Sequence, residues 1–201
     1  MQLKTFPYTN FAVDNPEQTM LSGLRELYMQ RVVALDSVSI SMREDESCIY
    51  VDSSTVGEAL LHNKVIGTSG KGSDLYRIHE QIYEQFADIG AVVTGRSPYT
   101  FSLLKAGISL GEPTSMMKKR NTINPDSHIF PAESLEEHLL DASLATARDK
   151  SDSENMPYML LIVRNNMMIC CAPNLHEALV HFQNIEFAAK LKMNQVLRKT
   201  K

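Results

Sequence analysis

DLYRIHEQIYEQFADIGAVVTGRSPYT, residues 74–100, sets a helix, a turn, a strand and a polar loop end to end. Leu75, Ile78, His79, Ile82, Tyr83 and Phe86 recur at i, i+3, i+4, i+7, i+8 and i+11, which is one face of a helix. Asp88 and Gly90 end that helix, and Gly90-Ala91-Val92-Val93 reads as a short strand. The strand delivers the chain onto the loop Thr94-Gly95-Arg96-Ser97-Pro98-Tyr99. Side chains held on a loop at the end of a rigid strand are where binding and catalysis concentrate.

Working outward, residues 1–16 form an irregular lead-in, and Met20–Val33 reads as a helix with Leu21, Leu24, Leu27, Tyr28 and Arg31 on or beside one face. Asp36–Arg43 alternates polar and apolar residues, the period of a half-buried strand. Glu44-Asp45-Glu46 is a solvated turn and Cys48–Val51 the returning strand, so the two form a hairpin. Asp52–Gly57 is a polar loop. The run GTSGKGS, residues 67–73, lacks the G-x-x-x-x-G-K-[ST] spacing of a nucleotide phosphate loop. Tyr99–Ala106 is expected to be a short helix capped by Gly107. Ile108–Pro131 is a long connection, and its run Lys118-Lys119-Arg120 reads as a solvated face. Ser134-Leu135-Glu136-Glu137 is a capping box opening a helix that continues to Ala147. Tyr158–Val163 and Met167–Cys171 read as two strands joined by Arg164-Asn165-Asn166. Pro173 stops the second, and Asn174 caps a last helix reaching Val196. Strands flanked by helices on both sides imply an α/β protein of three layers, with a mostly antiparallel central sheet.

The 201 residues suit one domain spanning 1–201. With 43% hydrophobic and 22% charged residues and a net charge of −4, the composition is that of an ordinary globular protein. No basic stripe suggests a nucleic-acid partner, and no apolar run approaches the ~20 residues of a membrane span. Three cysteines, two of them adjacent at Cys170 and Cys171, do not make a disulfide framework and suit a reducing compartment. The cytoplasm is the expected location.

A helix carrying His79-x-x-Ile82-Tyr83, then a strand and the tail Ser97-Pro98-Tyr99, resembles the central segment of the class II aldolase/adducin family. Other segments resemble it in the same order. Ser37-Val38-Ser39-Ile40-Ser41-Met42-Arg43 is similar to the family's S-G-N-I-S-V-R, and Val51–Thr55 to its I-T-P-S-G. Leu161–Met167 is similar to a strand followed by R-N-H-G, Asn174–Ala178 to a helix start near E-A, and Ile185–Ala189 to an E-x-A-A segment. In catalytic members a His-x-His at the strand end and the histidine of R-N-H-G bind zinc. Those positions here are Thr94, Arg96 and Asn166. The catalytic Glu, four residues before the helix histidine, is matched by Leu75, with Asp74 adjacent, and the phosphate-binding Asn is matched by Ser39.

The resemblance therefore implies the family fold without its zinc ligands, with no metal or other cofactor, and a homotetramer. The degenerate pocket would be lined by Ser39, Ser54, Ser73, Asp74, Thr94, Arg96 and Asn166. Arg96 either meets a small anionic ligand there, or fills the pocket paired with Asp74 or another acid, or reaches a neighbouring subunit. His79 reads as a satisfied core histidine, Cys170 and Cys171 as buried thiols on opposite faces of one strand, and Met116, Met117, Met167 and Met168 as fillers of core or interface gaps. Glu177 and His181, four apart, can pair on the last helix. The expected role is a non-catalytic one in assembly or in protein or ligand binding. The alternative is a metal-independent enzyme or a sensor acting on a small sugar phosphate or other anion.

Overall fold

The computed structural model describes residues 16–30, 38–44, 47–51, 74–108, 131–132, 149, 159–163 and 167–199. Along the chain these form α1 (Pro16–Met29), β1 (Ser39–Glu44), β2 (Ser47–Val51), α2 (Asp74–Gln85), β3 (Ala91–Gly95) and α3 (Pro98–Lys105). Then come β4 (Pro131–Ala132), β5 (Met159–Val163), β6 (Met167–Ala172) and α4 (Leu175–Lys199).

The six strands make one sheet in the order β2-β1-β3-β6-β5-β4. Every pairing is antiparallel except the parallel pairing of β4 with β5. The expected hairpin is present, with Ile40 opposite Val51 and Arg43 opposite Cys48. β1 also pairs with β3, setting Ser39 opposite Thr94.

Apolar residues cover the sheet on both faces. On one face Ile40, Val93, Met168 and Cys170 pack with Leu21, Leu24 and Leu27 of α1, Phe101 and Leu103 of α3, and Leu179, Phe182 and Ile185 of α4. On the other, Tyr50, Val92, Ile169 and Cys171 pack with Tyr76, Ile78, Ile82 and Tyr83 of α2. The architecture is the expected α/β/α sandwich. As the strand alternation requires, Cys170 and Cys171 fall on opposite faces, both fully buried.

Several boundaries move. α1 begins at Pro16, earlier than Met20, because proline is favoured where a helix's first N–H groups have no partner. The part of the expected helix beyond Gln30, including Arg31, lies outside the described residues, as do GTSGKGS, Met116–Arg120 and the capping box at Ser134. β3 runs on through Thr94 and Gly95, so Thr94 belongs to the strand and not to the loop. α3 starts at Pro98, one residue early. Its end is as expected. Gly107 has φ 67°, its N–H donates to the Leu104 carbonyl at 3.0 Å, and the Ile108 N–H donates to Leu103 at 2.9 Å. Those two bonds make a Schellman motif, with Ile108 packed on the same core as Leu103. Asn174 caps α4 as read, its Oδ1 accepting the Glu177 N–H at 2.9 Å.

Gly90 joins α2 to β3 where the chain passes close to the backbone of Ala172 and Pro173. Its N–H donates to the Ala172 carbonyl at 3.0 Å and its carbonyl accepts from the Arg43 N–H at 2.8 Å. A Cβ there would lie 2.1 Å from the Pro173 carbonyl oxygen, a backbone atom that cannot rotate aside. Gly90→Ala should therefore lower unfolding free energy by about 2–3 kcal/mol in urea titration. At Gly107 a Cβ meets nothing within 4 Å, so Gly107→Ala costs only its positive φ, about 1 kcal/mol. The reverse order would refute this account of the β3 entry.

Candidate functional site

The serines of β1 do not face water. Ser39 and Ser41 are fully buried beneath α2. The alternation that reads as a half-buried strand therefore marks a strand covered on both sides, one of them polar. Above these serines sits His79, also fully buried. Its Nδ1 lies 2.7 Å from Ser41 Oγ and its Nε2 lies 2.8 Å from Thr94 Oγ1, with Ser39 Oγ at 3.4 Å. Ser41 Oγ is in turn 2.8 Å from the Tyr83 hydroxyl. The Tyr50 ring stands edge-on to the imidazole at 5.2 Å between centroids.

A neutral imidazole carries one N–H and one lone pair. The proton order Tyr83 to Ser41 to His79 to Thr94 gives each member a partner, and so does the reverse order. Nothing in the chain requires a charge. Burial drives the His79 pKa down to about 3, so the ring is neutral at physiological pH. Burial likewise pushes the Tyr83 phenol well up.

The next polar residue of β1, Arg43, fastens the other end of α2. Its Nη2 donates to the Tyr83 and Phe86 carbonyls at 2.7 and 2.8 Å, and its Nε donates to Ile89 at 2.9 Å. These carbonyls belong to the last turn of α2 and the turn that follows, where a cation also meets the negative end of the helix dipole. The guanidinium lies 4.8 Å over the Tyr83 ring.

Of the seven sequence-derived pocket residues, the structure brings Ser39 and Thr94 together around His79. Asp74 is exposed at the first turn of α2. Leu75, at the position of the catalytic Glu, packs against the apolar cluster under α2. Arg96 is exposed just past the end of β3. Ser54, Ser73 and Asn166 lie outside the described residues.

The sequence reading missed Ser41 and Tyr83, although Ser41 shares the alternation that singles out Ser39, and Tyr83 lies one helical turn beyond His79. It also missed Glu186 of α4, only 3% exposed. Its carboxylate accepts from Ser97 Oγ, from the Tyr99 N–H at 2.7 Å, and from the Thr100 N–H and Oγ1 at 3.1 and 2.9 Å. His181 is pushed down to about 4 by burial, opposed by the charge of Glu177. The effect of Glu177 on His181 is Coulombic. Among the described residues, no three of His, Cys, Asp and Glu come together as a metal-ligand group. No helix among them is long and apolar enough to cross a membrane.

The buried imidazole makes stability depend on pH. Its folded pKa of about 3 lies below the unfolded 6.5, so the unfolded chain binds the extra proton and stability falls as pH drops below 6.5. Between pH 6.5 and 4.5 the His79 share is about 2–3 kcal/mol. His181 adds a loss of the same sign, ending near its pKa of about 4. In urea titrations, His79→Gln should be less stable at pH 7.5 by about 2 kcal/mol, yet should remove the His79 part of the acid loss. An unchanged pH slope would overturn the assignment.

The fold is similar to that of several solved aldolases and aldolase-like proteins. The L-fuculose-1-phosphate aldolase of Thermus thermophilus superposes with a TM-score of 0.66 at 13% identity, over 92% of this chain and 97% of that one. An aldolase II superfamily protein of Pseudomonas syringae gives 0.61 at 13% identity, over 89% and 73%. A sugar-phosphate aldolase of Thermotoga maritima gives 0.57 at 13% identity, over 92% and 96%. At such identities the likeness is one of fold alone. A search of curated proteins found no match. The family model for the class II aldolase and adducin N-terminal domain matches residues 18–193, and by that match the chain belongs to the class II aldolase/adducin family.

Proposed function

We propose that this protein is a non-catalytic member of its family. It has given up the zinc site and works by assembly, or by binding a protein or a small anionic ligand. The observation that carries this reading is the Thr94 hydroxyl. It stands where the resemblance puts the first zinc ligand, yet it is fully buried and bonded to His79 at 2.8 Å. Zinc requires imidazole, thiolate or carboxylate donors in a near-tetrahedral array. A neutral hydroxyl already engaged by an imidazole, followed two residues on by a guanidinium, does not fit that ion. Leu75, in the place of the catalytic carboxylate, has no proton to take or give. Retro-aldol cleavage in this family polarises the substrate carbonyl with the metal, and no step of that kind is assigned to these residues.

Arg96, exposed where β3 ends, favours a second reading in which the site holds a small anion without cleaving it. Phosphate or carboxylate is the matching chemistry, since a guanidinium offers paired donors to either. The homotetramer and the cytoplasmic location implied by the resemblance belong to the same proposal.

The test is a zinc titration of the purified, untagged protein followed by thermal unfolding, alongside an assay for cleavage of L-fuculose 1-phosphate. No zinc-dependent rise in unfolding temperature and no aldehyde product are expected. Light scattering should give four chains per particle. One zinc per chain, with stabilisation that grows with zinc concentration, would end the proposal.

A further inference from the structure

We propose that Glu186 is the positioning residue of the β3 end, an internal carboxylate that caps α3 from α4 and thereby fixes the link from which Arg96 projects. Two short motifs, Ser97-Pro98-Tyr99 and Glu186-Phe187-Ala188-Ala189, are joined by hydrogen bonds that span 86 to 89 residues of sequence. Neither is among the positions that the resemblance matches to the zinc ligands of the family's catalytic members. The structure brings them into contact.

Ser97 holds the N-cap position of α3 with extended backbone, φ −102° and ψ 100°, yet its side chain makes no cap bond to its own helix. It donates its hydroxyl to Glu186. The two N–H groups that Ser97 would ordinarily serve, those of Tyr99 and Thr100, also go to Glu186, one to each carboxylate oxygen. The Thr100 hydroxyl adds a third donor to Oε2. A helix start needs acceptors for its first N–H groups and favours negative charge there. Glu186 supplies both from another element. One turn further along α4, the Lys190 ammonium lies 5.5 Å over the Tyr99 ring, on the same side of the contact. Ala189 of α4 is fully buried, and its small side chain lets the helix come close enough for the carboxylate to reach.

Arg96 immediately precedes this clamp. With Ser97, Tyr99 and Thr100 all held by one carboxylate, the backbone leaving β3 has little freedom, and the direction of Arg96 is set from α4. The carboxylate also occupies the N-terminus of α3, so an external anion has no claim on those amides and must be met by side chains such as Arg96. The functional weight of this inference rests on reading position 96 as part of the site.

The test is a spin label at Arg96→Cys, which is selective because Cys48, Cys170 and Cys171 are all buried. It is combined with hydrogen exchange of the Tyr99 and Thr100 amides. In Glu186→Ala the label should become more mobile and the two amides should exchange about 10-fold faster. Formate, which fits the vacated carboxylate position, should reverse both changes, whereas chloride at equal ionic strength should not. A label spectrum unmoved by Glu186→Ala, or one restored equally by chloride, overturns the proposal. Should Glu186→Ala fail to fold, Glu186→Gln keeps the shape and one carbonyl acceptor while losing the charge. It should still loosen the label and speed the Thr100 amide, and parental values for both would also overturn the proposal. These readouts need no ligand at Arg96, so they succeed or fail independently of the non-catalytic reading.

Discussion

A histidine buried without a charge is the constraint from which the rest of this structure follows. His79 can lie under α2 only if both ring nitrogens find partners, because an unpaired polar atom there would cost about 1–3 kcal/mol. Its partners come from two different strands, Ser41 of β1 and Thr94 of β3. The imidazole therefore fixes how those strands are aligned and how far along them α2 sits. Arg43 fastens the end of the same helix from the same face of β1. A one-residue slip of β1 would carry Ser39, Ser41 and Arg43 to the apolar face beneath α1 and α4, and would place Ile40 and Met42 under the imidazole. Register in this sheet is specified by buried polarity as much as by hydrophobic pattern.

That dependence explains what the sequence could and could not reveal. Helices α2 and α4, the hairpin of β1 and β2, the Asn174 cap and the Gly107 stop were readable, because each is set by residues a few positions apart. Burial of the polar side of β1 was not. Alternation tells which residues share a face, but not whether water or a helix covers it, and the groups that satisfy Ser41 lie 38 and 42 residues downstream. The position of Thr94 was misjudged for a related reason. A threonine before a glycine, an arginine and a proline looks like the start of a loop, whereas cross-strand pairing with Ser39 and Ile169 keeps it in the sheet. Glu186 was visible only as a letter in a short motif, because its role exists only when α3 and α4 meet.

The candidate site inherits its character from these two polar clusters. In a metal centre the strand end presents lone pairs to an ion, and the surrounding hydrogen bonds orient those ligands. Here the Thr94 hydroxyl is turned toward His79, and the hydrogen bonds that would orient a ligand set instead close on one another. A closed neutral network of this kind needs no ion to be stable, since every member is already partnered.

The clusters also lie on opposite faces of the sheet and meet the same few residues of chain. Thr94 is held from the α2 side by His79, and Ser97 from the α4 side by Glu186. Arg96 lies between them and is exposed. If Arg96 holds an anion as proposed, clamping lowers the backbone entropy lost on binding, and preorganisation of that kind raises affinity without adding a contact. The fold thus ends β3 rigidly, with a buried threonine bonded to His79 and an exposed arginine beyond it, and it is on these two residues that the non-catalytic proposal stands.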